Sequence, residues 1–175
     1  MVIKKIKAKK KAKLHNFHSE LLEIIGHIIS DEDFKKLISI KQHIFFNRYE
    51  HLINVSKLSY KLGKIFKADL ETCVLAWLLH DYHFTYVKSY IHGIMSAENA
   101  KKFWVSTEIQ EIIKNHMFPS GRKALQRPKS KEFWIVKFCD SFSAIYEIFY
   151  SIFKLSFFGK NKIKMKKNQL LLELI

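Results

Sequence analysis

Apolar positions recur at helical spacing along nearly the whole chain. In residues 18–29, Leu21, Leu22, Ile25 and Ile28 share one side of a helix. Ser30-Asp31-Glu32-Asp33 then reads as a helix start. Ser30 is the expected cap, and the acids sit against the positive end of a second helix running from Asp33 to about Ile40. Leu52, Val55, Leu58, Ser59 and Leu62 define a third helix, with His51 one turn before Val55 at the edge of its buried stripe. Gly63 does not end that pattern, because Ile65 and Phe66 continue it. Asp69 stands where a cap is needed for a helix over Leu70–His80. That helix is apolar almost all round from Val74 and is therefore central.

The pattern weakens over Tyr82–Ile91, which reads as a loop or short turns. His92-Gly93 opens a helix over Ser96–Trp104, and Ser106 or Thr107 caps the next. In it Ile109, Ile112, Ile113 and His116 fall at i, i+3, i+4 and i+7. Pro119 and Gly121 then break the run. Ser130 caps a last helix from Lys131 to about Phe153. Its apolar positions Phe133, Trp134, Val136, Phe138, Cys139, Phe142, Ile145, Ile148 and Phe149 are expected to be core. Only five glycines and two prolines interrupt 175 residues. The expected fold is all-α, a single domain of five to seven helices.

The net charge of +15 suggests a nucleic-acid partner until its distribution is considered. Residues 1–13 hold seven lysines and no acid, and residues 154–167 hold six more lysines. Residues 14–153 keep 18 basic against 15 acidic residues. The expected organisation is a basic tail over 1–13, a domain over 14–153 and a basic, partly apolar tail over 154–175. Lysine tails hold RNA or an anionic membrane through salt-sensitive contacts. No recognition motif accompanies them, so specific nucleic-acid binding is not expected. Met1–Lys13 has charge without the apolar core of a signal peptide. Glu147 and Lys154 interrupt the Phe- and Ile-rich stretch 142–158, which argues against a span and leaves an interfacial helix open. Cys73 and Cys139 are expected as buried thiols in a cytoplasmic protein, with peripheral membrane contact as a further option.

Chemistry concentrates where the central helix ends. The apolar run Ala76-Trp77-Leu78-Leu79 terminates in His80-Asp81, and a carboxylate beside buried apolar residues needs a partner. Asp140 lies mid-helix in similar company, where a cation is a natural partner. His116 extends an apolar stripe, and by spacing alone it would be a core histidine bonded to a backbone carbonyl. His83 is expected to be hydrogen-bonded rather than a ligand.

The order His51, His80-Asp81, Asp140 resembles that of the HD-domain metal-dependent phosphohydrolases, over about Tyr49 to Glu147. The resemblance implies that these four residues bind a divalent metal, and that His92 and His116 stand where some branches hold a second ion. A mixed nitrogen and oxygen set suits Fe, Mn, Zn, Co or Ni better than Ca²⁺. One or two ions are expected, with Asp81 bridging if there are two. If only one binds, His92 and His116 could protonate a leaving oxygen. Asp81, His92 and His116 are thus the expected catalytic groups. Arg48, Arg122 and Arg127 are expected to hold phosphate oxygens.

The implied activity is hydrolysis of a phosphate ester or anhydride of a small, nucleotide-like substrate. Tyr82-His83-Phe84 follows the doublet where many members have glycine and lysine, which argues against the cyclic-dinucleotide branch. Two rival functions are carried: an RNA- or membrane-surface module acting through the basic tails, and an oxygenase using paired iron.

Overall fold

The computed structural model describes the backbone of residues 2–42, 44–85, 89–120, 125 and 127–158. It describes the side chains of residues 16–155 within those ranges, except 89 and 90. The described chain is all-α and has no strand; a single bridge joins Lys41 to Asn47. Its helices are α1 (Val2–Ile29), α2 (Glu32–Lys35), α3 (Arg48–Phe66), α4 (Leu70–Leu79), α5 (Ser89–Ala100), α6 (Thr107–Asn115) and α7 (Lys131–Phe158). Short 3₁₀ turns follow α2 and α5.

Helix α4 is the hub, packed by α1, α3, α5, α6 and α7. Every side chain from Thr72 to Leu79 is buried, as its all-round apolar pattern requires. Asp69 caps it as expected, accepting from the Thr72 amide at 2.6 Å. Gly63 lets α3 approach α4, since a Cβ there would meet Leu70 Cδ2 at 2.9 Å. Ser106 accepts from the Ile109 amide at the start of α6, and Ser130 from the Phe133 amide at the start of α7. The cysteines are free and buried.

Several boundaries differ from the sequence expectation. Helix α1 begins at Val2, so its backbone runs through the lysine-rich segment instead of starting at residue 18. Unbroken alanine and lysine are good helix formers and supply no stop signal. Asp31, not Ser30, caps α2: its Oδ1 accepts from the Asp33 and Phe34 amides, while the Ser30 hydroxyl donates back to Gly26 and His27 and closes α1. Helix α5 begins at Ser89, which places His92 inside it. Asn47 caps α3 through a reciprocal capping box with Glu50.

The largest correction concerns α7. Trp134, Phe138, Phe142, Ile145, Ile148 and Phe149 were expected in the core, but all are exposed. Phe133, Val136 and Cys139 do face the core. Beyond Cys139 the inward positions are Asp140, Ser143, Glu147 and Ser151. Periodicity marks α7 as a helix rich in apolar positions. It cannot say that the more polar face points inward, because that depends on what the other helices present.

Candidate metal centre

Five helices bring the singled-out residues together. His51 comes from the first turn of α3, and His80 with Asp81 from the end of α4. His92 comes from α5, His116 from the end of α6, and Asp140 from α7. Gly93 allows the α5–α6 approach. A Cβ there would stand 2.8 Å from the Lys114 carbonyl oxygen and 3.1 Å from His116 Nδ1. Trp77 packs edge-on against the His80 ring at 4.4 Å.

Three of the four imidazoles are oriented in the same way. His80 Nδ1 donates to the Trp77 carbonyl at 2.8 Å, and His116 Nδ1 to the Ile113 carbonyl at 2.7 Å. His51 Nδ1 sits 3.1 Å from both carboxylate oxygens of Glu147. An acceptor at Nδ1 places the proton of a neutral ring there and so directs the Nε2 lone pair of that form to the interior. His80 Nε2 is buried and has no hydrogen-bond partner among the described residues. His116 is thus a core histidine bonded to a carbonyl, and it also aims its other nitrogen at the cluster.

The Nε2 atoms converge on carboxylates. Asp140 Oδ1 lies 3.6 Å from His51 Nε2 and 3.5 Å from His80 Nε2. Asp81 Oδ2 is 3.7 Å from His80 Nε2. Its other oxygen, Oδ1, is 3.4 Å from His92 Nε2 and 3.7 Å from His116 Nε2. Most of these pairs are too long for hydrogen bonds. Two donors each about 2.1 Å from one ion at a tetrahedral angle would stand about 3.4 Å apart, close to what is seen. His92 Nε2 and His116 Nε2 are 3.0 Å apart, and two lone pairs face each other at that distance only with a proton or cation between them. The donor set therefore fits a metal. Asp81 turns one oxygen to each group of histidines.

The charge states suit the same purpose. Burial works to raise the Asp81 carboxyl, but the His80, His116 and His92 rings around it hold it well below the usual carboxylate range. Asp140 is likewise held low, against burial, by His51 and His80. Burial, reinforced by the His80 ring, pushes His116 down to about 3. Burial also lowers His92. Both are neutral near pH 7, as ligands must be. For His51 burial opposes charge, but the carboxylates of Asp140 and Glu147 outweigh it and hold the ring up at about 10. A cation entering at neutral pH therefore displaces a proton from His51.

Two residues with a part in the site escaped sequence reasoning. Glu147 appeared there only as a charge breaking an apolar run. It lies seven residues after Asp140, on the same face of α7, and that spacing was the available signal. Gln42, before α3, donates to Asp81 Oδ2 at 2.8 Å and accepts from Arg48 Nε at 2.9 Å; nothing in its surroundings marks it. The Arg48 Nη1 donates to the His83 carbonyl. His83 is hydrogen-bonded as expected, through Nδ1 to the Thr85 carbonyl. Of the other arginines, Arg127 is exposed and Arg122 lies outside the described residues.

A scan of protein families decides what the cluster belongs to: the model described as HD domain matches residues 48–145. The chain belongs to the HD-domain family. The match begins with the helix that carries His51 and ends on α7 beyond Asp140, so it encloses all six candidate ligands. Searches of curated proteins and of solved structures found no match. HD domains are generally metal-dependent hydrolases, and membership implies binding of a divalent metal.

Glu147 is a positioning residue for His51, and its substitution separates position from charge. Glu147→Gln keeps an acceptor for Nδ1 and loses the charge, and should weaken metal binding about tenfold. Glu147→Ala loses both and should approach about 100-fold. Competition with a chromophoric chelator at pH 8 measures both values. Equal affinity in the wild type and Glu147→Ala would remove Glu147 from the site.

Proposed function

We propose that this HD domain hydrolyses a phosphate ester or anhydride of a small, nucleotide-like molecule, using two divalent transition ions that share Asp81. The observation that carries the reading is the division of Asp81 between His80 on one oxygen and His92 with His116 on the other, at donor–donor separations suited to common ions. His51, His80 and Asp140 would complete the first position. The nitrogen and oxygen donors favour Fe, Mn, Zn, Co or Ni. When bound, such ions lower the pKa of a water toward neutrality and offset charge on phosphoryl oxygens.

The chain's own groups do the rest. Asp81 and Asp140 stay ionised and set the charge of the site. Arg48 braces Asp81 through Gln42, and in this reading it also faces the substrate phosphate. Arg127 would meet the phosphate from the loop before α7.

The test is turnover of mononucleotides, dinucleotides, dinucleoside polyphosphates and cyclic nucleotides by metal-stripped protein. We expect phosphate release or diester cleavage only after addition of Mn²⁺, Co²⁺, Fe²⁺ or Ni²⁺, with full loss on chelation. Hydrolysis that persists in chelator would reject the metal reading. Iron-dependent oxygen uptake without phosphate chemistry would replace hydrolysis by oxygenation.

A further inference from the structure

The outward stripe of α7 consists of Phe138, Phe142, Ile145, Phe149 and Ile152, recurring at i, i+4, i+7, i+11 and i+14. Each is between 52% and 68% exposed. Tyr146 and Phe153 widen it on one side, and Ile148 and Leu155 on the other. From Phe138 to Phe153 no exposed side chain carries a charge. These side chains together present on the order of 1,000 Å² of apolar surface, where the largest patch on an ordinary monomer is roughly 300–600 Å². The inner side of the same helix is spent on Asp140, Ser143, Glu147 and Ser151. Over this stretch α7 therefore turns its polar face inward and its apolar face outward. No described helix is long and apolar enough to cross a membrane. A helix of this kind is suited to lie along an interface rather than through one.

Charge selects the occupant. Lys160, Lys162, Lys164, Lys166 and Lys167 follow α7 directly in sequence, seven more lysines stand in residues 1–13, and the chain carries +15 overall. A second copy would cover the stripe but bring another +15 against the first. RNA would answer the lysines and leave Ile145 and Ile152 uncovered. An anionic bilayer answers both, with headgroups for the lysines and the acyl boundary for the aromatic and Ile side chains. We propose that the outer face of α7 docks this protein on an anionic lipid surface, with the metal cluster held on the opposite side of the same helix.

Flotation of the full chain with vesicles of phosphatidylcholine and phosphatidylglycerol (7:3) in 0.15 M NaCl tests this. Binding is expected there, and at least tenfold weaker binding to phosphatidylcholine alone. The double substitution Phe142→Glu with Phe149→Glu should weaken binding to the mixed vesicles at least tenfold, with melting temperature and metal affinity unchanged. Phe142→Ser with Phe149→Ser should act in the same direction, which guards against an effect of buried charge on folding. Mixed-vesicle binding by both variants equal to wild type would overturn the proposal, because the lysines alone would then suffice. Absence of vesicle binding by the wild type would also overturn it. So would a dimer in sedimentation that the substitutions dissociate without vesicle binding, which would make the stripe a self-association face. Metal-dependent hydrolysis by the detergent-free protein is read separately, so failure here leaves the hydrolase reading standing.

Discussion

Asp81→Ala should lower kcat/KM for any phosphorylated substrate the protein turns over by on the order of 10³-fold or more. Charge stabilisation by a bound ion contributes several kcal/mol to such reactions, and about 4 kcal/mol corresponds to that factor. The argument rests on position. Asp81 faces His80 with one oxygen, His92 and His116 with the other, and receives a hydrogen bond from Gln42. No other carboxylate in the cluster spans both groups. Asp81→Asn separates charge from shape. It keeps a group of the same size that Gln42 can still reach, yet should lose nearly as much activity because the negative charge is gone. Metal content by elemental analysis should fall in both variants. Metal-dependent turnover that survives in Asp81→Ala at the wild-type rate would sink the shared-carboxylate reading.

Trp77→Ala should destabilise the protein by about 3–5 kcal/mol, since it opens a large cavity in a fully packed core. Trp77 is completely buried in the hub helix, and its ring and carbonyl both contact His80. For a chain of this size each kcal/mol moves Tm by about 2–4 °C, so a fall of roughly 10 °C is expected by calorimetry. Metal affinity should fall with it, because the ring that steadies His80 is lost. Trp77→Phe is the informative partner. The indole Nε1 is buried with no hydrogen-bond partner among the described residues. Phenylalanine removes that unsatisfied donor and keeps most of the volume, so its cost should be well under half that of alanine. A Trp77→Ala protein melting within 2–3 °C of wild type would mean that α4 is not the hub described.

Local pattern was enough for much of this protein. The run from Val74 to Leu79 is apolar on every side, and such a helix has nowhere to go but the centre. Asp69, Ser106 and Ser130 are polar residues at the starts of apolar periods, and each caps the helix it precedes. Asp81 and Asp140 stood out as carboxylates in buried apolar company, whereas His51 and the full set His51, His80, Asp81 and Asp140 were recognisable only through the resemblance to the HD-domain order. These signals are short-range: spacing along a helix, or a side chain meeting an amide two or three residues on.

What depended on distant parts of the chain was legible only in three dimensions. The reciprocal fit of His51 with Glu147 joins residues 96 apart, and the Gln42–Asp81 bond joins residues 39 apart. Neither spacing has a sequence signature. The close contact of His92 with His116 depends on Gly93 fitting under the end of α6. The orientation of α7 is the clearest case. Its sequence alone determined a long helix rich in Phe and Ile that carries Asp140, and hydrophobicity favours turning its apolar stripe inward. The tertiary structure turns it outward, because His51 and His80 stand ready on α3 and α4. Buried imidazoles and carboxylates find their partners only in one another and in a shared cation, whereas an apolar stripe can be covered by any apolar surface outside the fold.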